Sequence, residues 1–308
     1  MTGPRPSVVM ISFLLVLIAT AVGCGDDNGV NNEPPTLKAT LLYTEAQPGS
    51  LGTITARNLD GTGRDVLTAA NAWAPGDVTP DGSVIIFFGP TGPGTDQEIQ
   101  TMSYSGFNPK QVTDDLWQDS GASFLPDGRI IYASNGGNQY DVYRMDADGS
   151  NKTQLTTDPG TEPDPSLSPD GTKIVFSREF KDIWVMNADG TGQTNLTNFA
   201  AGDRATYPQF SPDGSKIVFL HGLNNNHDVM VMDANGANLT NLTPSDPLFY
   251  YGSACFSLDG QYIYATANPT AANGPKDIYR MDANGANHIP VTDTEADEAF
   301  LKVVKLLR

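Results

Sequence analysis

One tight turn recurs through most of the chain, and its spacing leaves few folds open. It appears as Thr79-Pro80-Asp81-Gly82, Leu125-Pro126-Asp127-Gly128, Ser168-Pro169-Asp170-Gly171, Ser211-Pro212-Asp213-Gly214 and Ser257-Leu258-Asp259-Gly260. The glycines stand 46, 43, 43 and 46 residues apart. A period of this size belongs to a solenoid, a propeller or an array. Proline presets φ at the first turn position, Asp accepts local backbone hydrogen bonds, and Gly tolerates the left-handed exit. Leu258 stands where the other turns have proline, so that turn is expected to be looser.

A short apolar run follows each turn, such as Val84-Ile85-Ile86-Phe87-Phe88 or Ile174-Val175-Phe176. These β-branched and aromatic residues, bounded by turns, read as strands. After a variable loop comes a second strand in fixed register. It opens on Glu98, Asp141, Asp182, Asp228 or Asp277 and carries Met102, Met145, Met186, Met232 or Met281. A second turn ends in Gly61, Gly106, Gly149, Gly190, Gly236 or Gly285, mostly as Asp-Gly or Asn-Gly, which are strong hairpin signals. A last strand ends in Leu or Val followed by Thr68, Thr113, Thr156, Thr197, Thr243 or Thr292.

Each unit thus has four strands, a to d. The ending occurs six times and the first turn five times. The first unit starts at Leu41-Leu42-Tyr43, which matches strand b, and lacks its strand a. The tail from Glu298 to Val304 stands where another strand a belongs. A ring closed by that tail leaves no terminal sheet with an open edge. The expectation is an all-β, six-bladed β-propeller of four-stranded blades over residues 36–308, closed by the C-terminal strand.

The units resemble the WD-like repeats of TolB-type propellers. Ser168-Pro-Asp-Gly-Thr-Lys-Ile-Val-Phe176 and Asp182-Ile-Trp-Val-Met-Asn-Ala-Asp-Gly190 carry the resemblance, which runs from about Leu37 to the C-terminal end. TolB belongs to the periplasmic Tol–Pal envelope system and has an additional α/β domain before its propeller. No segment here matches that domain. The resemblance therefore implies the architecture and the compartment, and not membership of that system.

Residues Val8 to Val22 are apolar except for Ser12 and Thr20, with Arg5 before them. That is the layout of a secretory signal peptide, too short for a comfortable transmembrane helix. It ends in Ala21-Val22-Gly23-Cys24, which resembles a bacterial lipobox. Residues 1–23 are then the signal peptide, Cys24 is the lipidated N-terminus, and residues 24–35 form a flexible tether. Eleven tether residues span at most about 40 Å and nearer ~18 Å as a coil. The expected location is the cell envelope, lipid-anchored at the periplasmic face of the outer membrane or at the cell surface. Cys255 is then unpaired and reads as a small buried hydrophobe.

The formal net charge is −18. Such a chain repels nucleic acid, so no nucleic-acid partner is expected. No Gly-x-Ser-x-Gly elbow is present. His221 and His227 share one loop, but a catalytic metal usually needs three protein ligands, and they read as surface loop histidines. The Asp146-Ala-Asp148 type of turn lacks the later ligands of a calcium loop. No cofactor and no metal is therefore expected.

Because strands alternate in direction, the d–a and b–c connections share one end of the ring. They vary from blade to blade and carry Trp73, Trp117, Asp119, Glu162, Asp164, Arg204, Tyr207, Tyr250 and Tyr251. Variable loops on a rigid scaffold are where function usually sits. The reading is a monomeric, non-enzymatic module that presents this face to an envelope protein, peptide or glycan. The alternative is a propeller-type lyase or hydrolase acting on a polysaccharide at the channel mouth. It would need three or more acid, base or metal-ligand groups converging there with perturbed pKa.

Overall fold

The computed structural model describes residues 37–47, 52–68, 72, 74–91, 96–136, 139–223, 226–244, 250–268 and 275–307. The leader, Cys24, the tether and Trp73 lie outside them.

Six four-stranded antiparallel sheets follow one another around a ring. Blade 1 takes strand a from the C-terminal segment Asp297–Leu307, followed in the sheet by b (Leu37–Ala46), c (Thr53–Asn58) and d (Asp65–Val66). The inner strands of blades 2 to 6 are Ala74–Val78, Asp119–Phe124, Ser166–Leu167, Arg204–Phe210 and Tyr250–Phe256. The expected propeller and its closure by the last strand are both present.

The core consists of six apolar clusters, one between each pair of neighbouring blades. The repeating methionines Met102, Met145, Met186, Met232 and Met281 are all 2% exposed or less. A blade cannot bury both faces alone, so these clusters make the ring cooperative. Turn geometry adds a second inter-blade tie. Gly61, Gly106, Gly149, Gly190, Gly236 and Gly285 have φ between 81° and 90°. Each sits against the carbonyl of the apolar residue ending strand d of the preceding blade. A Cβ on Gly61 would collide with the Val291 carbonyl, so blade 1 is tied to blade 6 as the others are to their neighbours.

The Leu258 turn is as tight as its proline counterparts. Its Gly260 N–H donates to the Ser257 carbonyl at 2.9 Å, within the 2.7–2.9 Å of the other four. Asp259 Oδ1 accepts from Ser257 Oγ at 2.6 Å and from Gln261 N–H at 3.0 Å, as Asp213 does in its own turn. The aspartate closes this turn, and proline only presets it.

Candidate functional site

The inner strands shape the channel through a repeated irregularity. Register against strand b shifts at Gly76, at Gly121-Ala122, at Tyr207-Pro208, at Gly252 and at Phe300-Leu301. In blade 4, Asp164 takes the same place just before the short inner strand. A bulge bends its strand and re-aims a side chain. Asp164, Tyr207 and Phe300 adopt φ of 60°, 54° and 53°, a strained conformation for non-glycine residues that costs of order 1–3 kcal/mol each. The Phe300 ring meets Tyr207 edge-on at 5.9 Å and Phe88 at 6.4 Å. These three side chains narrow the channel to a waist. On the blades with glycine there it stays open, leaving a cavity of about 70 Å³.

Below the waist the channel widens to about 560 Å³ toward the Pro-Asp-Gly turns. Pro80, Pro126, Pro169, Pro212 and Leu258 line this funnel. Its inner end is ringed by one residue per blade: Asp77, Ser123, Ser166, Gln209, Cys255 and Lys302. They occupy one register, opposite Ile86, Ile131, Val175, Val218, Tyr264 and Leu42. Burial pushes the Lys302 ammonium below the usual lysine range, against the pull of Asp77, Cys255 and Asp164. Burial pushes Asp164 up to about 7 and the Cys255 thiol up to about 12. It raises Asp77 as well. Asp77 accepts N–H bonds from Val78 at 2.8 Å and from Phe124 of the next blade at 3.2 Å. Asp164 accepts the Tyr207 N–H of its own next blade. The two carboxylates therefore strap neighbouring inner strands together, and Lys302 offsets their charge.

The loop end is organised by a second repeat element. The hydroxyl closing strand d accepts the N–H one residue past the strand-c acid, as in Ile99 to Thr113 (2.8 Å), Val142 to Thr156 (2.9 Å) and Ile183 to Thr197 (2.9 Å). Six residues beyond that threonine stands an acid in four cases: Asp119, Glu162, Asp203 and Glu298. Glu162 is fully buried against Arg178. Asp203 faces His221 at 3.4 Å, and that imidazole stacks on Phe199 at 3.9 Å. His221 is thus part of the wall and not a free surface histidine. Glu298 accepts from Thr292 and from Ile278 N–H. Burial pushes Glu298 and Asp119 up to about 7.

The other predicted site residues divide by depth. Tyr251 is 3% exposed and packs in the cluster between blades 5 and 6. With Asp119 and Glu162 it lies inside the wall, while Asp164 and Tyr207 form the waist. The loop face keeps Trp117, 39% exposed, beside Leu116 at 87%. Trp117 N–H donates to Asp115 Oδ1 at 3.0 Å, and its ring lies over the Gly136 backbone. Arg204 is exposed with its guanidinium 5.0 Å from the Phe180 ring, and Tyr250 is half-buried. Sequence reasoning passed over Asp77 and Lys302. The available signal was two opposite charges in a column otherwise filled by Ser, Gln and Cys.

The buried carboxylates carry a pH signature. A carboxyl whose folded pKa exceeds its unfolded value of about 4 keeps a proton that the unfolded chain gives up. Stability then falls as pH rises from about 4 to about 7. Asp119, Asp164 and Glu298 are of this kind. His227, held below the usual range by burial, acts oppositely as a single group. The turn aspartates, such as Asp213 at about 2, lose their contribution only in stronger acid. In EDTA, the melting temperature is expected to be several degrees higher near pH 5 than near pH 8. A flat or rising profile would show that these carboxylates ionise normally.

No family model matches the chain, and no curated protein matches it. Solved structures do. TolB from Acinetobacter baumannii is 19% identical with a TM-score of 0.74, over 85% of this chain and 66% of that one. Hydrazine synthase from Kuenenia stuttgartiensis is 17% identical with a TM-score of 0.71, over 89% and 48%. The putative TolB from Agrobacterium tumefaciens is 16% identical with a TM-score of 0.62, over 88% and 99%. The chain thus spans just under two thirds of the Acinetobacter protein and about half of the synthase. At these identities the likeness is one of fold: a six-bladed β-propeller related to TolB-like propellers.

Proposed function

We propose that the protein is an envelope-anchored binding module whose loop face holds a protein, peptide or glycan. The carrying observation is the Leu116-Trp117 pair, large apolar side chains held in the open on a loop pinned by Asp115. An aromatic anchor on a rigid loop, rimmed by polar groups, is the usual form of a binding hot spot. Lipidation at Cys24 would hold the propeller close to a membrane.

A second reading has its own support. Asp77, Asp164 and Lys302 converge on the channel with perturbed proton affinities, the pattern named above for an enzyme. Their carboxylates already bond the neighbouring strand, which favours a structural role, and the binding reading stands first.

One screen tests both. Soluble Cys24→Ser protein on peptide and glycan arrays is expected to bind through the loop face. Leu116→Ser with Trp117→Ala should cut affinity about 100-fold or more with the melting temperature unchanged. Binding kept by that variant and lost by Lys302→Met would move the ligand to the funnel and overturn the loop-face assignment. In cells, Cys24→Ser should be released or left unprocessed, and a variant that is processed and held in the membrane fraction like the parent would overturn the anchor.

A further inference from the structure

We propose that Glu98, Asp115 and Asp119 bind a calcium ion on the loop face, between blades 2 and 3. One carboxylate oxygen from each lies within 4.8 Å of the others. Glu98 is 2% exposed and Asp119 0%. Lys152 Nζ meets Asp115 Oδ2 at 2.6 Å on the outer side, and no ion pair reaches Glu98 or Asp119 among the described residues. Glu98 accepts from Thr113 Oγ1 and from Asp115 N–H. Among the described residues neither oxygen of Asp119 has a partner at hydrogen-bonding distance and angle, although the Ser134 and Thr113 hydroxyls lie near enough to moderate its charge. A fully buried, unpartnered carboxylate is aimed at two others.

The repeat shows what is missing. Asp119, Glu162 and Asp203 are equivalent positions. Glu162 meets Arg178, and Asp203 meets His221, each in the last part of strand b. Arg178 pairs across its sheet with the strand-c acid Asp182, and His221 with Asp228. The residue paired in the same way with Asp141 is Ser134. Blade 4 supplies a guanidinium at this place, blade 5 an imidazole, and blade 3 only a hydroxyl. Blade 3 therefore gathers three carboxylates with no side-chain cation paired to Asp119 among the described residues.

The donors are all oxygen, with neither imidazole nor thiolate, which selects a hard cation. Calcium takes six to eight oxygens in flexible geometry and fills its shell with water, so three side chains suffice as an anchor. In ion-free protein, burial and the like charges of Asp115 and Glu98 hold Asp119 reluctant to ionise. A bound divalent ion reverses that balance. Asp115 also accepts the Trp117 N–H, so the ion would stiffen the loop that presents Leu116 and Trp117. That last consequence rests on the loop-face reading, whereas ion binding does not.

Purified protein stripped with EDTA and titrated calorimetrically with CaCl2 should bind one ion. A Kd of about 10⁻⁴ to 10⁻³ M would match extracellular calcium modules. At about 100 times the Kd, melting should rise by roughly 5 °C. Asp119→Asn should lower the affinity at least about 10-fold and abolish the rise. In EDTA it should melt no lower than the parent, since the amide removes the repulsion. Glu98→Gln serves as the second variant and should also lose the ion. Absence of heat and melting shift at about 10 mM CaCl2 would overturn the site, as would parent-like binding by Asp119→Asn. Tighter binding of Mg²⁺ than of Ca²⁺ would overturn the assignment of the ion. No loop-face ligand enters this titration, so its failure leaves the proposed function standing, and the reverse also holds.

Discussion

A chain ended at Ala296 is expected to lose its cooperative unfolding transition and to aggregate. The missing strand, Asp297–Leu307, pairs with Leu37–Ala46 in nine register positions. Leu301, Val304 and Leu306 are 0%, 6% and 1% exposed. Leu301 packs in the cluster between blades 6 and 1, and the other two in the cluster between blades 1 and 2. Removing the strand therefore opens both flanks of blade 1. It also takes away the Glu298 acceptor for Thr292 and Ile278, and bares the edge of Leu37–Ala46. Three truncated apolar side chains at about 2–5 kcal/mol each already reach the roughly 5–15 kcal/mol of a whole domain. Leu301→Ala alone, at about 2–5 kcal/mol, should lower the melting temperature by roughly 5–15 °C with the transition still sharp. Thermal melts followed by circular dichroism distinguish the two. Parent-like melting of the shortened chain would show that the ring holds without its last strand.

That closure was legible because a missing strand b partner and a surplus tail are both countable in the sequence. The blade core was legible for a similar reason, since the methionine column and the Asp-Gly turns recur in fixed register. Leu258 shows the limit of residue-type reasoning, because the turn is closed by Asp259 whatever precedes it. The channel was less visible. Period-two alternation predicts which inner-strand side chains face inward, but the bulges at Gly76, Tyr207 and Phe300 reset that alternation partway along each strand. Asp164 and Tyr207, named for their place in the d–a connections, form the waist, and Lys302 was missed. The three-carboxylate cluster was hidden differently. Glu98 belongs to strand c of one blade and Asp119 to the inner strand of the next, and only inter-blade packing brings them together. His221, which chemistry would examine early, went to stacking and pairing in the wall.

Replacing Arg178 by methionine is expected to be among the most damaging single changes, with a cost of about 3–5 kcal/mol. The guanidinium holds Glu162 at 2.7 Å through Nε. Its Nη2 reaches Asp158 at 3.0 Å and Gln193 at 2.6 Å. The plane lies 4.0 Å from the Trp184 ring. Glu162 is fully buried and its side chain has no route to water, so loss of the cation strands a charge. Burial already raises the Glu162 pKa in the parent, with Arg178 pulling it back. Without Arg178 it rises further above the unfolded value. Stability of the variant should then fall with rising pH through the carboxylate range and beyond. The deficit should be small near pH 5 and full near pH 8, where melting drops by roughly 6–20 °C. Glu162→Gln added to Arg178→Met removes the stranded charge and should recover most of the loss, since a buried ion pair contributes little beyond its own desolvation. A double-mutant cycle at both pH values measures the coupling. If Arg178→Met costs less than about 1 kcal/mol near pH 8, or the double variant melts no higher than the single one, then Glu162 is not held ionised by Arg178. The cation-for-acid pairing drawn between blades 3 and 4 would lose its basis with it.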